Sequence, residues 1–155
     1  MKLVIGNDHA GVEMKYELTV YLQNKGYEVI NVGTDSTEAF DYPIAGYKVG
    51  KAVAEGKADL GVLICGTGVG ISLAANKVHG IRACVCSDPT TARLSREHNN
   101  TNVIAFGARI IGMETAKHIL DEWLNAKYAG SERHHRRVAM ITEIEETQEL
   151  KAAEE

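Results

Sequence analysis

The fold of this chain is decided by the stretch Leu60-Gly61-Val62-Leu63-Ile64-Cys65-Gly66-Thr67-Gly68-Val69-Gly70. Residues 60–64 are a short apolar run that ends at a glycine-rich segment, a pattern that predicts a buried β-strand and a tight turn. Residues 71–78 predict a helix. A strand, a glycine turn and a helix in this order point backbone N–H groups at an anion, and a cysteine at such a turn is expected to ionise easily. The hexapeptide that begins at Cys65 therefore offers a thiolate beside an anion cradle.

The rest of the chain repeats this alternation of short apolar runs with longer amphipathic ones. We predict strands at residues 3–6, 27–32, 60–64, 81–86 and 103–106, and helices at 12–24, 42–55, 71–78, 89–98, 112–127 and 138–153. Apolar strands separated by helices are typical of a parallel sheet that is covered on both faces. The prediction is an α/β fold: a three-layer α/β/α sandwich around a five-stranded parallel sheet, Rossmann-like, with a C-terminal helix. A length of 155 residues fits a single domain.

Composition excludes several classes of protein. The chain has 17 Lys and Arg against 21 Asp and Glu, a formal charge of −4, which gives no reason to expect a nucleic-acid partner. No apolar run approaches the ~20 residues of a membrane span, and the N-terminus lacks the pattern of a signal peptide. The three cysteines show no disulfide framework and no zinc spacing; Cys84 and Cys86 are interpreted as core residues. We expect a cytoplasmic protein with no metal and no membrane partner.

Polar residues follow four of the predicted strands, at the edge of an α/β sheet where ligands bind. They are Asp8-His9, the segment from Cys65 to Gly70, Ser87-Asp88, and Gly107-Ala108-Arg109. His98-Asn99 ends a helix just before the fifth strand, and we place it at this same edge. Because imidazole titrates near neutral pH, His98 is a candidate general acid or base there.

The glycine turn does not fit the common nucleotide and phosphatase motifs. A dinucleotide fingerprint requires Gly-x-Gly-x-x-Gly after the first strand, whereas here position 71 is Ile and the strand is the third. A P-loop requires Gly-Lys-Ser/Thr, which is missing, and a cysteine phosphatase requires an arginine inside the anion loop, whereas the first arginine after Cys65 is Arg82. A generic anion site and a plain tight turn both stay open.

The densest basic run is Arg133-His134-His135-Arg136-Arg137. It is short and lies in an acidic chain, which disfavours a nucleic-acid patch. Arg133 and Arg137 share a face if this segment is helical, and two guanidinium groups on one face suit a phosphate monoester. A solvated basic surface is the alternative.

A thiolate, an oxyanion cradle, an imidazole and paired arginines together suit the isomerisation of a sugar phosphate. That reaction needs a base for a carbon-bound proton, donors that hold an enediolate, and a phosphate anchor. Covalent acyl or phosphoryl transfer through Cys65 is a second reading, and a binding module without catalysis is a third.

Several long motifs occur in the chain in a specific order. They are Gly6-Asn7-Asp8-His9-Ala10-Gly11, Asp41-Tyr42-Pro43, the segment from Ile64 to Ile71, Ala74-Ala75-Asn76-Lys77, Gly80-Ile81-Arg82-Ala83 and His98-Asn99-Asn100-Thr101-Asn102-Val103. With them, the chain resembles the type B ribose-5-phosphate isomerases, in the family that also contains galactose-6-phosphate and allose-6-phosphate isomerases. The resemblance runs from Gly6 to Arg137.

The resemblance implies a role for each matching residue. Cys65 matches the base that moves a proton between C1 and C2, and His98 matches the acid that opens the sugar ring. One branch of the family uses a glutamate instead, at the position that Ile71 holds here, so Cys65 is the matching base. The remaining matches are Thr67 with the backbone of Gly66, Gly68, Val69 and Gly70 for the enediolate, Asp8 and Asn99 for sugar hydroxyls or the ring oxygen, and His9, Arg109, Arg133 and Arg137 for substrate and phosphate.

The resemblance also implies the reaction and the assembly. The expected reaction interconverts D-ribose 5-phosphate and D-ribulose 5-phosphate in the pentose phosphate pathway, with no cofactor. The same chemistry on a six-carbon sugar phosphate is the alternative. A homodimer, or a tetramer of two such dimers, is implied, with active sites shared between subunits and the C-terminal helix, residues 138–153, in the interface.

Overall fold

A computed structural model describes residues 1–153 of the chain. The described residues form one parallel sheet with the strand order β2-β1-β3-β5-β4. The strands are β1 (Lys2–Asn7), β2 (Glu28–Asn31), β3 (Leu60–Cys65), β4 (Ala83–Val85) and β5 (Val103–Gly107). The α-helices are α1 (Val12–Asn24), α2 (Tyr42–Ala54), α3 (Val69–Ala75), α4 (Pro89–Asn99), α5 (Met113–Asn125) and α6 (Glu132–Thr147), with 3₁₀ turns at His9–Gly11 and Lys151–Ala153.

Helices cover both faces of this sheet, because its central strands are apolar on both sides. Along β3, Val62 and Ile64 join a cluster with side chains of α1, α4 and α5, whereas Leu63 and Cys65 join a cluster with side chains of α2 and α3. Every residue of β3 is buried. The predicted three-layer α/β/α sandwich with a five-stranded parallel sheet is therefore confirmed.

Helix α4 begins as its sequence predicts. The Asp88 carboxylate accepts a hydrogen bond from the N–H of Thr91 at 2.8 Å, and Pro89 occupies the first helical position. The helix ends at Asn100, whose φ of 49° is left-handed. These two ends fix the position of α4, and His98 lies in its last turn.

The C-terminal helix was predicted at residues 138–153, and this prediction is wrong at both ends. Helix α6 begins at Glu132 and ends at Thr147, where Gln148 turns the backbone into the left-handed region at φ 60°. Its first turns carry no apolar repeat, and they are held instead by the burial of His134 against α4. Tertiary packing rather than local pattern thus starts this helix. The whole basic run of residues 133–137 is helical as a result.

The described residues, 1–153, contain no helix long and apolar enough to cross a membrane.

Candidate active site

Three loops meet around Cys65 at the carboxyl end of the sheet. Cys65 is the last residue of β3, and its register partner is Gly107, the last residue of β5. The N–H of Asp8 donates to the carbonyl of Ile64 at 3.1 Å, and the N–H of Ala108 donates to the carbonyl of Cys65 at 2.8 Å. The predicted convergence is confirmed for the segments after β1, β3 and β5, whereas in the fourth predicted segment, Ser87-Asp88, Asp88 caps α4.

The glycine turn closes over the Cys65 sulfur. The N–H of Gly68 donates to Sγ at 3.0 Å. Gly68 has a φ of +82°, and a Cβ there would lie 2.8 Å from the Cα of Phe106, so both its conformation and its surroundings require glycine. Gly68 thereby holds the turn against β5, and Cys65 at its base is 4% exposed.

Polar side chains lie on and against the glycine turn. The side chain of Thr67 is exposed, and its Oγ1 accepts from the N–H of Val69 at 3.3 Å, which leaves the hydroxyl proton free to be donated. The guanidinium group of Arg109 lies against the turn, because a Cβ on Gly66 would be 3.3 Å from its Nη1. A hydroxyl donor and a cation therefore border the mouth of the turn.

Asp8 and His9 follow β1 on the neighbouring side. One oxygen of the buried Asp8 carboxylate accepts from the N–H of Ala10 at 2.9 Å. The Nδ1 of His9 accepts from the N–H of Phe40 at 3.2 Å. Because Nδ1 is an acceptor, the neutral imidazole carries its proton on Nε2, which leaves that atom as a donor.

A buried lysine holds the loop that leads to Phe40. The Nζ of Lys15 donates to the carbonyl of Thr34 at 2.7 Å and forms an ion pair with Asp35. Lys15 is 1% exposed, and these partners satisfy its buried ammonium group. Sequence reasoning missed this support, since nothing in the local pattern separates Lys15 from a surface lysine.

His98 and Asn99 lie at the other edge of the sheet. Helix α4 starts beyond the carboxyl end of β4 and runs back to the amino end of β5, which begins at Val103. The length of β5, roughly 16 Å at 3.3 Å per residue, therefore separates His98 from the level of Cys65. The expectation that His98 lies at the same edge as Cys65 is wrong for this chain.

The remaining predicted residues gather around His98. Its ring lies 4.6 Å from the ring of His134, centroid to centroid, at an interplanar angle of 34°. His134 stands on the first turn of α6, where Arg133 and Arg137 flank it with exposed side chains. Burial lowers the pKa of His134, and the charges of His98, Arg133 and Arg137 lower it further. The structure thus has two groups of candidate residues, one at each edge.

Arg82 and Arg96 fix the corner that presents His98. The guanidinium of Arg82 donates to the carbonyl of Asn100 at 3.1 and 3.0 Å and to that of Asn99 at 3.2 Å. Arg96 donates to the carbonyl of Thr101 at 2.7 Å. The sequence motifs that contain Arg82 and Asn100 marked both residues, but they did not predict that the Arg82 guanidinium donates to the carbonyl of Asn100.

Tyr42 is a further residue to which sequence reasoning gave no role. A Cβ on Gly70 would lie 2.7 Å from carbon atoms of the Tyr42 ring, so the ring rests on the glycine turn. The motif Asp41-Tyr42-Pro43 was its only signal in the sequence.

Within residues 1–153, no three His, Cys, Asp or Glu side chains are grouped so that they could hold a metal ion.

Comparison with known proteins assigns the chain to a family. The family model described as Ribose/Galactose Isomerase matches residues 3–141. The chain is 55% identical over 145 residues to ribose-5-phosphate isomerase B of Escherichia coli, covering 94% of this chain and 97% of the relative. It is 44% identical over 144 residues to the galactose-6-phosphate isomerase subunit LacB of Clostridium acetobutylicum, covering 93% of this chain and 83% of that one.

Solved structures agree with this assignment. Ribose-5-phosphate isomerase B of Clostridium thermocellum superposes with a TM-score of 0.94 at 50% identity, covering 96% of this chain and 100% of that chain. The Mycoplasma genitalium enzyme with bound ribulose-5-phosphate superposes with a TM-score of 0.90 at 36% identity, covering 94% and 97%. With its parallel sheet, its cysteine at the end of β3 and these matches over almost its whole length, the chain belongs to the ribose/galactose isomerase family.

Proposed function

We propose that this enzyme interconverts D-ribose 5-phosphate and D-ribulose 5-phosphate by proton transfer through an enediolate. The observation that carries the proposal is the position of Cys65 at the end of β3, where its Sγ accepts from the N–H of Gly68 in the same glycine turn that carries Thr67 with its hydroxyl proton free. The high identity to a ribose-5-phosphate isomerase B supports this choice of substrate.

The reaction can be written on this geometry with all protons accounted for. The Cys65 thiolate takes the proton from C2 of the open-chain aldose, and the electron pair forms the C1–C2 double bond of an enediolate. The Thr67 hydroxyl and the backbone N–H groups of Gly66 and Gly70 hold the negative oxygen on C1, while the N–H groups of Gly68 and Val69 orient the Cys65 sulfur and the Thr67 hydroxyl. The thiol then returns the proton to C1, and the O2 proton passes to O1 as the C2 carbonyl forms.

The arginines and His9 anchor the substrate. Forked guanidinium groups bind phosphate oxygens well, and Arg133 and Arg137 are one helical turn apart on α6. His9, which follows Asp8 at the other edge, offers its Nε2 proton. We assign Arg133, Arg137 and His9 to the phosphate, Arg109 to the substrate near the glycine turn, and Asp8 and Asn99 to sugar oxygens.

We further propose a homodimer, or a tetramer of two such dimers, in which each active site is shared. The proposal rests on the two edges: Cys65 and His98 of one chain are too far apart to act on one sugar. In the dimer, His98 of the partner subunit opens the ring of a sugar bound at Cys65, and the partner's Arg133 and Arg137 hold its phosphate.

Exposed apolar side chains next to the glycine turn support this interface. Ile44 and Tyr47 on α2 and Val69 and Leu73 on α3 are 44, 57, 50 and 60% exposed. Exposed apolar groups this close together are typical of a surface that a partner covers. On α6, Ile141 and Ile144 are each 44% exposed, and we place this helix in the interface too.

We also propose that residues 1–155 are a single isomerase domain, since one family model spans residues 3–141. A reducing compartment, the cytoplasm, suits an enzyme whose base is a free thiol.

The central test is the Cys65→Ala variant. We expect it to lose turnover of ribose 5-phosphate while it still binds the sugar phosphate, because the methyl side chain keeps the packing but cannot carry a proton. Cys84→Ala is the matched control, since Cys84 lies on β4 outside the proposed site, and it should keep its activity. Undiminished turnover by Cys65→Ala would overturn the mechanism, and wild-type protein that binds pentose phosphates without converting them would indicate a binding module.

His98→Asn tests the ring-opening step. This variant should slow the reaction of the cyclic aldose much more than that of ribulose 5-phosphate. Ribulose 5-phosphate is an open-chain sugar, because its C5 oxygen carries the phosphate, so it needs no ring opening. Equal losses in the two directions would argue against this role.

A six-carbon sugar phosphate is the second candidate substrate. It is favoured by the 44% identity to a galactose-6-phosphate isomerase subunit. Comparing kcat/KM for ribose 5-phosphate, allose 6-phosphate and galactose 6-phosphate on one preparation distinguishes the two, and a higher value for either hexose would replace the pentose assignment.

A further inference from the structure

Cys84 and Cys86 form a pair of thiols outside the proposed isomerase site. Cys84 is the central residue of β4, and Cys86 directly follows that strand. Because residues two apart on a strand point to the same face, both side chains turn toward α4. Their sulfur atoms are 3.6 Å apart, and both cysteines are free.

The two thiols differ in exposure. Cys84 is half-buried, whereas Cys86 is 1% exposed. The strand that carries Cys84 lies at one end of the sheet and pairs only with β5 among the described strands. Cys84 is therefore the more accessible of the two cysteines to a small reagent.

The two thiols also differ in acidity. The S–H group of Cys86 donates to the sulfur of Cys84, and this hydrogen bond lowers the pKa of the Cys84 thiol to about 7, against the opposing effect of burial. The same contact and burial raise the pKa of Cys86. Cys84 is therefore the more acidic thiol of the pair, and while it is protonated its S–H donates to the carbonyl of Val85 at 3.7 Å.

We propose that Cys84 and Cys86 are a redox-active dithiol that reduces low-molecular-weight disulfides, with Cys84 as the attacking and Cys86 as the resolving cysteine. A more accessible thiol in contact with a buried second thiol is the arrangement that thiol–disulfide exchange requires. The site is separate from Cys65, which lies on β3 in the cluster on the opposite face of the sheet.

The reaction has two balanced steps. The Cys84 thiolate attacks one sulfur of the disulfide R–S–S–R, forms a Cys84–S–S–R mixed disulfide and expels R–S⁻. Cys86 then loses its proton to solvent and attacks the Cys84 sulfur, so that the intramolecular disulfide forms and the second R–S⁻ leaves. The two cysteines are oxidised by two electrons, and the small disulfide is reduced to two thiols.

Closure of the ring is geometrically feasible but strained. Two residues of extended strand separate the Cα atoms by about 6.6 Å, at the upper end of the range for disulfides. The sulfurs must move about 1.5 Å closer to reach bonding distance. An edge strand with a partner on one side can bend to allow this, and a strained disulfide is easily reduced again. The product is thus a reversible modification rather than a structural bond.

The test uses the full chain in the Cys65→Ala background, where Cys84 and Cys86 are the only cysteines left. The protein is treated with oxidised glutathione at neutral pH, and the intact mass is followed with time. We expect the loss of two hydrogen atoms with no stable adduct, and return to the starting mass on addition of dithiothreitol. Adding Cys86→Ser should trap one glutathionyl group on Cys84.

Cys84→Ser in the same background is the matched control. It should react at least tenfold more slowly, because the remaining thiol, that of Cys86, is buried, and burial disfavours the thiolate. Circular dichroism of each variant checks that the sheet is intact, and Cys84→Val is a second replacement if the serine disturbs it. A protein that stays unmodified, that keeps a stable adduct with both cysteines present, or that reacts equally fast without Cys84 would overturn the proposal.

Discussion

Cys65 and His98 lie at opposite edges of the same sheet, Cys65 at the carboxyl end of β3 and His98 beside the amino end of β5. The proposed chemistry needs both side chains at one sugar, the thiol for the carbon-bound proton and the imidazole for the ring. One chain cannot bring them together without losing β5. Two copies of the chain solve this if the Cys65 edge of one faces the His98 corner of the other.

Mixing two inactive variants tests this shared site. Cys65→Ala and His98→Asn are each expected to lack activity on the cyclic aldose. Their equal mixture, after subunit exchange, should recover about one quarter of the wild-type activity, because half of the dimers are mixed and each mixed dimer has one intact site. Each variant mixed with itself at the same total concentration is the control. A mixture no more active than its parts would mean that the two residues act within one subunit.

Gly68 and Gly80 provide a matched pair for the glycine turn. Both have a φ of +82°, but a Cβ at Gly80 would meet open space, whereas at Gly68 it would lie 2.8 Å from the backbone of Phe106. Gly80→Ala should cost about 1–2 kcal/mol of stability, the cost of a left-handed alanine, and leave kcat/KM unchanged.

Gly68→Ala should cost more than Gly80→Ala, because the turn must also move off β5. Since Gly68 donates to the Cys65 sulfur, this movement should lower kcat by about a hundredfold, the lower end of the typical cost of a lost active-site donor. Chemical denaturation and steady-state kinetics measure the two effects separately. Equal behaviour of the two alanine variants would contradict the close approach of the turn to Phe106.

The sequence predicts the sheet well because each strand is an apolar run bounded by turn residues. Strand β3 differs from its prediction by one residue, and the start of α4 follows from Asp88 and Pro89. The strand assignment also predicted that Asp8, Cys65 and Arg109 lie at the same edge, because the carboxyl ends of parallel strands share one edge of the sheet.

The position of His98 and the start of α6 show where sequence reasoning failed. A helix that leaves the carboxyl end of one parallel strand must return to the amino end of the next, so topology alone places His98 at the far edge. The start of α6 was not predictable in this way, because residues 132–137 have no apolar period. Its cause is a contact distant in sequence, the stacking of His134 on His98.

Alanine variants of three arginines on α6 can distinguish phosphate binding from the effect of surface charge. The three are Arg133, Arg136 and Arg137. On an α-helix Arg136 lies nearly opposite His134, whereas Arg133 and Arg137 lie on the flank that turns toward it. Arg133→Ala and Arg137→Ala should each raise KM by about ten- to a hundredfold, the value of a charge-assisted hydrogen bond, with a smaller effect on kcat. Arg136→Ala removes the same charge and should change KM little. Equal effects of all three substitutions would assign the phosphate elsewhere.

His134 makes the stability of the protein depend on pH. Its pKa in the folded protein lies below the ordinary value near 6.5, first because the ring is buried and then because His98, Arg133 and Arg137 are positive neighbours. As the pH falls through that value, the unfolded chain binds the proton more readily than the folded one. Protonation therefore favours unfolding, and this part of the stability is full above about pH 7 and declines in acid.

His134→Phe should flatten this decline, because phenylalanine keeps a ring against His98 but does not titrate. The free energy of unfolding is measured by urea denaturation between about pH 5 and pH 8 for both proteins. At pH 8 neither His134 nor the phenylalanine that replaces it is charged, so the difference in unfolding free energy between the two proteins reports packing alone. Any additional difference at lower pH is due to protonation of His134. If the two profiles ran parallel over the whole range, the proton that destabilises the protein in acid would belong to another group.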